Sequence, residues 1–169
     1  LRSGEAQAVD EFSRTEGGFS RFNFDVNHVS KLSKVTQFYI FAHGQLANRN
    51  LDSSEQFYLG GADAVRAYPQ GEAGGDSGYQ ATAELRYQTP VKGMSMTLFA
   101  DVGEVLARKD GDTSDPHRRL AGWGIGAVYS LDRSLYARLD YARKIKGESY
   151  RSEAEDKNGR LWFRLYKLF

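Results

Sequence analysis

Seven stretches of the chain alternate between apolar and polar residues with a period of two, which is the spacing of side chains along a β-strand. The clearest stretch follows Gly78, with Ala83 and Leu85 on one face and Glu84 and Arg86 on the other. A strand with one apolar and one charged face lies between an apolar medium and water. The pattern predicts an all-β fold whose strands cover residues 18–29, 35–48, 79–89, 94–106, 121–130, 134–145 and 159–169.

The connections between these strands alternate strictly between short and long. Short links fall at 31–34, 90–93 and 131–133, and long links fall at 49–78, 107–118 and 146–158. Bacterial outer-membrane barrels have short turns at one end and long loops at the other, whereas a soluble β-sandwich has no reason to alternate so regularly. The connections therefore predict an antiparallel transmembrane β-barrel, integral to a Gram-negative outer membrane.

The number of predicted strands is small for a complete barrel. Seven strands would enclose a very narrow pore, and an open sheet in lipid leaves edge N–H and C=O groups without partners. We therefore interpret residues 1–169 as a single domain that forms the carboxy-terminal part of a larger barrel.

The composition agrees with such a barrel. The mean hydropathy is only −0.58, which is expected because each strand of a membrane barrel turns only alternate residues to the lipid. The 23 basic residues nearly balance the 22 acidic ones, which gives no case for a nucleic-acid partner. Residues 1–10 lack the basic start and apolar core of a signal peptide, so we expect a processed chain or a fragment of a longer one.

Candidate catalytic chemistry is weak. The run Gly75-Asp76-Ser77-Gly78 resembles the nucleophile loop of trypsin-like proteases, with His43 and Asp63 available as triad partners. The Gly-Pro that follows in those proteases is replaced here by Tyr79 and Gln80. The three histidines stand on separate segments without metal-ligand spacing, and the glycine-rich runs lack the Lys-Ser/Thr of a phosphate loop. We therefore expect no enzyme activity, no metal and no cofactor.

The first long link carries one arginine, Arg66, within a glycine-rich run, and its length marks it as either functional or disordered. The glycines permit tight turns and Pro69 adds rigidity, so we expect a folded loop. Alternation places Glu84 and Asp101 on the polar faces of two strands joined by a four-residue turn, and therefore on one wall. The same polar side carries Phe99, Gly103, Arg138 and Asp140.

Three motifs in this region point to a known family. They are LGGADAVRAYPQGEAGGDSGY at 59–79, AELRY at 83–87 and FADVG at 99–103. With these motifs the chain resembles, over about residues 18–169, the outer-membrane transporters of two-partner secretion, of the haemolysin-secretion and filamentous-haemagglutinin-secretion type. These transporters belong to the superfamily that includes the barrel-assembly proteins. The resemblance implies a barrel of roughly sixteen strands, of which this chain supplies the last part.

The resemblance also implies a site. In the family, the loop arginine folds back into the barrel and pairs with the acid of the F-x-D-x-G motif. Arg66 would then meet Asp101, with Glu84 as second acceptor, and residues 50–77 would form a lumenal loop. We call this expected contact the loop-to-wall lock. The residues expected to support it are Val65, Tyr68, Phe99 and Gly103.

Several single positions carry further expectations. Ala67 stands where the family usually has glycine, which indicates that the backbone there need not adopt a positive φ. The terminal Phe169 resembles the signal by which outer-membrane proteins are recognised for assembly. Arg118 and Arg119 are interpreted as exposed loop charges, with contacts to lipopolysaccharide phosphates as the alternative.

The resemblance implies a pore that translocates a secreted β-helical exoprotein of the adhesin or haemolysin type. Its other partners would be outer-membrane lipid and the barrel-assembly machinery. Two alternatives stay open. One is an assembly factor of the same superfamily that inserts other barrel proteins. The other, from a different class, is a soluble β-sandwich that acts as a binding module or as a serine protease.

Overall fold

The structure, a computed structural model, describes residues 18–106, 117–132, 134–145, 152–153 and 157–169. Most of the predicted loops at 107–118 and 146–158, together with the polar start of the chain, lie outside these described residues. No helix among the described residues is long and apolar enough to cross a membrane. The strands are β1 (Arg21–Lys31), β2 (Thr36–Ala47), β3 (Phe57–Leu59), β4 (Ala73–Gly75), β5 (Ser77–Gln88), β6 (Met94–Leu106), β7 (His117–Ser130), β8 (Leu135–Lys144) and β9 (Gly159–Lys167).

Seven strands form one antiparallel sheet in the order β1-β2-β5-β6-β7-β8-β9. Apart from β3 and β4, which lie outside this sheet, neighbouring strands of the sheet are also consecutive along the chain. The prediction of an all-β antiparallel fold with seven main strands is confirmed. The principal differences are that β7 begins at His117 rather than near residue 121, and that the first long link contains two additional strands.

Those two additional strands, β3 and β4, pair antiparallel and form a hairpin between β2 and β5. We use "the hairpin" for residues 57–75. A short 3-10 helix, Ser53–Glu55, precedes it, and Asp52 caps this helix by accepting a hydrogen bond from the backbone N–H of Ser54. At the hairpin's turn, Gly60 and Gly61 have φ of 87° and 115°, a region that favours glycine. The expected folded loop is therefore a β-hairpin with a broad tip.

The main sheet has two chemically different faces. The face packed against the hairpin, here called the inner face, carries the buried Glu84, Asp101 and Asp140. On the opposite, outer face, large apolar side chains are exposed by 40–67%. These outer residues are Leu85, Leu98, Trp123, Ile125, Leu139 and Phe163. The apolar core lies between the hairpin and the inner face, because its buried residues include Leu59, Val65, Tyr68, Phe99 and Leu120.

Tight turns join the strands at the end opposite the hairpin's base. In the β5–β6 turn, Gly93 has a φ of 80°, and Thr89 N–H donates to Met94 C=O at 3.1 Å. In the β7–β8 turn, Asp132 Oδ1 accepts hydrogen bonds from the backbone N–H groups of Ser134 and Leu135 at 2.6 and 2.7 Å. These bonds, above all the one from Ser134, lower the pKa of Asp132.

Candidate functional site: the hairpin against the inner face

Arg66, at the tip of the hairpin, binds two acids on the sheet. Its Nε and Nη2 donate to Asp101 Oδ2 and Oδ1 at 2.9 and 2.7 Å, and its Nη1 donates to Glu84 Oε1 at 2.9 Å. Its backbone N–H also donates to Asp101 Oδ2 at 3.1 Å. The two-pronged contact with Asp101 suits the planar guanidinium fork. The structure therefore brings together the three residues that the resemblance placed in the lock.

The Arg66 site extends onto β8 and β9. Asp140, on β8, is fully buried, and its Oδ1 lies 3.7 Å from Arg66 Nη1. Arg138 joins the acids, since its Nη2 donates to Glu84 Oε1 at 3.0 Å and its Nε to Asp140 Oδ2 at 2.7 Å. From β9, Arg164 Nη2 donates to Asp140 Oδ2 at 2.9 Å. We call Arg66, Glu84, Asp101, Arg138 and Asp140 the charge cluster.

Aromatic rings complete the surroundings of Arg66. Its guanidinium carbon lies 3.3 Å from the ring centroid of the buried Phe99, a cation–π contact. Its carbonyl oxygen accepts a hydrogen bond from Trp162 Nε1 at 2.7 Å. Burial lowers the pKa of Arg66, but the hydrogen bond and charge of Asp101, with the charge of Glu84, outweigh burial and leave the pKa raised. Arg66 therefore remains a cation at every physiological pH.

Glycines on the inner face make room for the hairpin. A Cβ added at Gly122 would lie 2.6 Å from the Cβ of Ala67, and one added at Gly103 would lie 2.6 Å from Leu59 Cδ2. Real Cβ atoms do not approach so closely, so a side chain at either position would force the hairpin or its side chains to shift. Ala67, where glycine was expected, is fully buried and lies directly against Gly122. The close approach therefore depends on a glycine in the sheet, Gly122, rather than on a glycine next to Arg66 in the loop.

The four residues expected to support the lock lie around Arg66 or on the inner face beneath the hairpin. Val65 and Tyr68 flank the tip and are fully buried. Phe99 packs under the Arg66 guanidinium, and Gly103 leaves space for Leu59. Phe169, the expected assembly signal, is exposed beyond the end of β9, and its role stays a prediction.

The sequence analysis did not pair four residues with Arg66 or its acids. Alternation places Arg138 and Asp140 on the inner face. Whether these two residues reach Arg66 and Glu84 depends on how the sheet curves around the hairpin, which alternation does not predict. Trp162 and Arg164 show the same alternation on β9 and were also overlooked. A search for every charged or hydrogen-bonding residue on the polar faces of the strands would have found all four.

The expectation for Arg118 was wrong. Arg118 is buried at the start of β7, and its guanidinium donates to the backbone carbonyl and to the carboxylate of Glu72 on the hairpin. Alternation turns it inward because β7 begins at His117, earlier than the sequence indicated. Arg119 faces outward and pairs with Glu104, with 3.0 Å between Arg119 Nε and Glu104 Oε2.

The residues of the protease-like motif have other partners. Asp76 is fully buried, and its Oδ1 accepts hydrogen bonds from Leu51 N–H at 3.1 Å and from Gln56 Nε2 at 3.0 Å. Ser77 Oγ accepts from Ala47 N–H at 2.9 Å. His43 Nδ1 lies 2.7 Å from Asp25 Oδ1. The motif therefore fixes the end of the hairpin to β2. Within the part of the chain that the structure describes, these residues form no catalytic triad.

An antiparallel sheet with an exposed apolar face, and a hairpin charge-paired to its other face, defines a segment of a β-barrel with an inward-folded loop. Residues 2–129 match the family model of the haemolysin secretion/activation protein ShlB/FhaC/HecB. The chain belongs to this family. This matched range starts earlier in the chain than the resemblance described above, which covers about residues 18–169, and it also ends earlier.

Individual proteins similar in sequence to this chain include HuxB transporters. The chain is 32% identical over 104 residues to the heme/hemopexin transporter protein HuxB of Haemophilus influenzae, covering 60% of this chain and 18% of that protein. For HuxB of strain 86-028NP the identity is 34% over 99 residues, covering 57% and 17%. The chain thus spans less than a fifth of the length of these curated relatives.

A solved structure supports the fold. The chain superposes on CdiB from Acinetobacter baumannii with a TM-score of 0.66 and 22% sequence identity. The superposition covers 88% of this chain and 27% of that chain. The open seven-stranded sheet is therefore a part of a barrel like that of CdiB.

Proposed function

We propose that this chain is part of an outer-membrane pore that translocates a secreted partner protein by two-partner secretion. The observation that carries the proposal is the ion pairing of Arg66, which holds a hairpin against the charged face of a sheet whose other face is apolar. A sheet with these two faces suits lipid outside and a watery passage inside. The family is that of haemolysin secretion/activation proteins, and HuxB is named a heme/hemopexin transporter protein, which supports the same function.

In this proposal the inner face lines the pore and residues 50–77 form a lumenal loop. The loop-to-wall lock, Arg66 with Asp101 and Glu84, holds the loop across the passage. All three side chains are buried, with 1–4% of their surface exposed. Removing one partner of a buried pair typically costs about 3–5 kcal/mol, because the other charge is left uncompensated. Displacing the loop while the wall stays dry would leave the acids without their cation in the same way, which favours the seated loop until a partner or a conformational change displaces it.

The proposed client is a secreted β-helical exoprotein of the adhesin or haemolysin type, which crosses unfolded. The outer face would contact outer-membrane lipid, and Phe169 would present the barrel to the assembly machinery. No covalent step is needed, since folding of the client outside the membrane supplies the direction. HuxB, by its name, is a heme/hemopexin transporter protein.

The test is a double-mutant cycle of Arg66→Ala and Asp101→Ala in the full-length transporter that contains this chain. The measurements are secretion of the partner and the amount of folded barrel in the outer membrane. We expect each single variant to reduce secretion with the barrel still present. The double variant should resemble the singles, because both changes remove the same contact. Arg86→Ala is the control, since this arginine also pairs with Glu84 but is 37% exposed.

Two outcomes would contradict the proposal in different ways. A wild-type protein that releases no partner, but whose loss depletes other barrel proteins from the membrane, would show an assembly factor. Secretion that falls additively in the double variant would show that Arg66 and Asp101 act separately, and the lock would be abandoned.

A further inference from the structure

A second buried ion pair holds the hairpin, away from Arg66. Arg118 Nη1 donates to the backbone carbonyl of Glu72, and its Nη2 donates to Glu72 Oε1. The side chains of Glu72 and Arg118 are 0% and 9% exposed. The other carboxylate oxygen, Oε2, accepts hydrogen bonds from Ser152, one of them from the backbone N–H at 3.4 Å. Glu72 thereby connects the hairpin to β7 and to the connection between β8 and β9.

This second pair lies at a different level of the sheet. In the β6–β7 register, Asp101 lies opposite Gly122, whereas Arg118 lies opposite Val105. The two levels are four residues apart on each strand, which corresponds to about 13 Å at the rise of an extended strand. Glu72 therefore acts nearer the long-loop end, and Arg66 acts deeper in the sheet.

The two levels have opposite polarity. At the deep level the hairpin supplies the cation and the wall supplies the acids, whereas at the outer level the hairpin supplies the acid and Arg118 the cation. A hairpin moved along the sheet would lose both pairs and leave buried charges uncompensated. Gly60 packs closely against the segment between the anchors, because a Cβ added there would lie 2.2 Å from Pro69 O and 2.9 Å from Glu72 Cβ.

We propose that Glu72 is a positioning residue that anchors the outer part of the hairpin to Arg118 independently of the Arg66 lock. The inference rests on the proposed function in one respect: the hairpin matters for transport only if it lies in the passage. Opening the passage then requires two separate releases. Loss of Glu72 releases the stem from Arg118 and Ser152, while loss of Arg66 releases the tip from Asp101 and Glu84.

The experiment uses single cysteines in an otherwise cysteine-free full-length protein. Val65→Cys reports on the tip and Ala73→Cys on the stem, since both native side chains are buried. The rate of labelling by a water-soluble maleimide is measured in outer-membrane vesicles without any partner protein. The test variants are Glu72→Gln, Arg118→Gln and Arg66→Ala, and the control is Arg119→Ala, the exposed neighbour on the outer face.

We expect Glu72→Gln and Arg118→Gln each to accelerate labelling at position 73 by about tenfold or more, with a smaller change at position 65. Arg66→Ala should show the reverse preference, and Arg119→Ala should change neither rate. The double variant Glu72→Gln/Arg118→Gln removes both charges of the pair, so its rate at position 73 should fall back toward that of the wild type. A residue that only stabilised the fold as a whole would raise the labelling rates at positions 65 and 73 together.

Two results would overturn the inference. One is unchanged labelling at position 73 in both single variants. The other is equal acceleration at both reporters whichever anchor is removed, which would mean that the hairpin has one cooperative attachment. Because labelling needs no partner, these results are independent of secretion, and a failure of the proposed transport function would leave the two-anchor result intact.

Discussion

At the residue scale, the contact between Ala67 and Gly122 determines how closely the hairpin approaches the wall. The Cβ of Ala67 occupies the space that a side chain at position 122 would need. The backbone N–H of Arg66, one residue away, donates to Asp101, so any displacement at Ala67 is passed directly to the charge cluster.

Gly122→Ala is therefore expected to destabilise the hairpin's attachment by about 1–3 kcal/mol, the usual range for overpacking a buried site. Adding Ala67→Gly should restore part of the loss, because it removes the atom that the new methyl group meets at 2.6 Å. The measurement is the temperature at which residue 66 becomes accessible to trypsin. Gly18→Ala is the control, since no atom lies within 4 Å of its added Cβ. Equal stability of Gly122→Ala and the wild type would contradict the contact.

Part of this site follows from the sequence alone. Alternation is enough to place Glu84 and Asp101 on one wall, because they lie on strands joined by a tight turn. The pairing of Arg66 with them came from family resemblance, since spacing says nothing about where a long loop folds. Arg118 was missed because the start of β7 lies beside a loop whose polar sequence hides the alternation.

At the element scale, the two short strands of the hairpin are elements that sequence periodicity does not detect. β3 and β4 have three residues each, too few for a period of two to be distinguished from chance. The longer strands were predicted within a few residues, because each has one face that is almost wholly apolar. The turns between them were predicted from proline and glycine, whose conformational preferences are local.

The β7–β8 turn gives a prediction of pH dependence. The pKa of Asp132 is lowered in the folded state, chiefly by the hydrogen bond from Ser134 N–H. The contribution of its charge to stability is therefore present above the unfolded pKa and is lost as the pH falls through the lower, folded pKa. Asp132→Asn keeps an acceptor oxygen without the charge, so the wild type should be the more stable at pH 7.

The difference in stability between the wild type and Asp132→Asn should shrink as the pH is lowered below about 4, the ordinary range for aspartate. Urea unfolding in detergent at a series of pH values measures this difference. A difference that stays constant across the series would show that the Asp132 charge makes no contribution through the turn.

At the scale of the whole molecule, the two faces of the sheet predict its orientation in a membrane. Leu98, on β6, is 52% exposed on the outer face. Leu98→Arg should destabilise the folded barrel by about 2–4 kcal/mol if the residue lies near the bilayer midplane. Ser95→Arg, on the same strand but on the inner face, should cost much less. Unfolding in lipid vesicles measures both, and equal costs would contradict the assigned faces.

The hairpin also constrains the order in which the molecule is completed. Arg66 contacts residues 18, 35 and 96 positions later in the chain, and Glu72 contacts Ser152, 80 positions later. Contacts between such distant residues form slowly, because long segments lose conformational freedom before the contacts compensate. The hairpin precedes β9 in the chain, and its contact with Trp162 requires β9 to be present. A chain cut short before Trp162 is therefore expected to retain the hairpin without the last of its attachments.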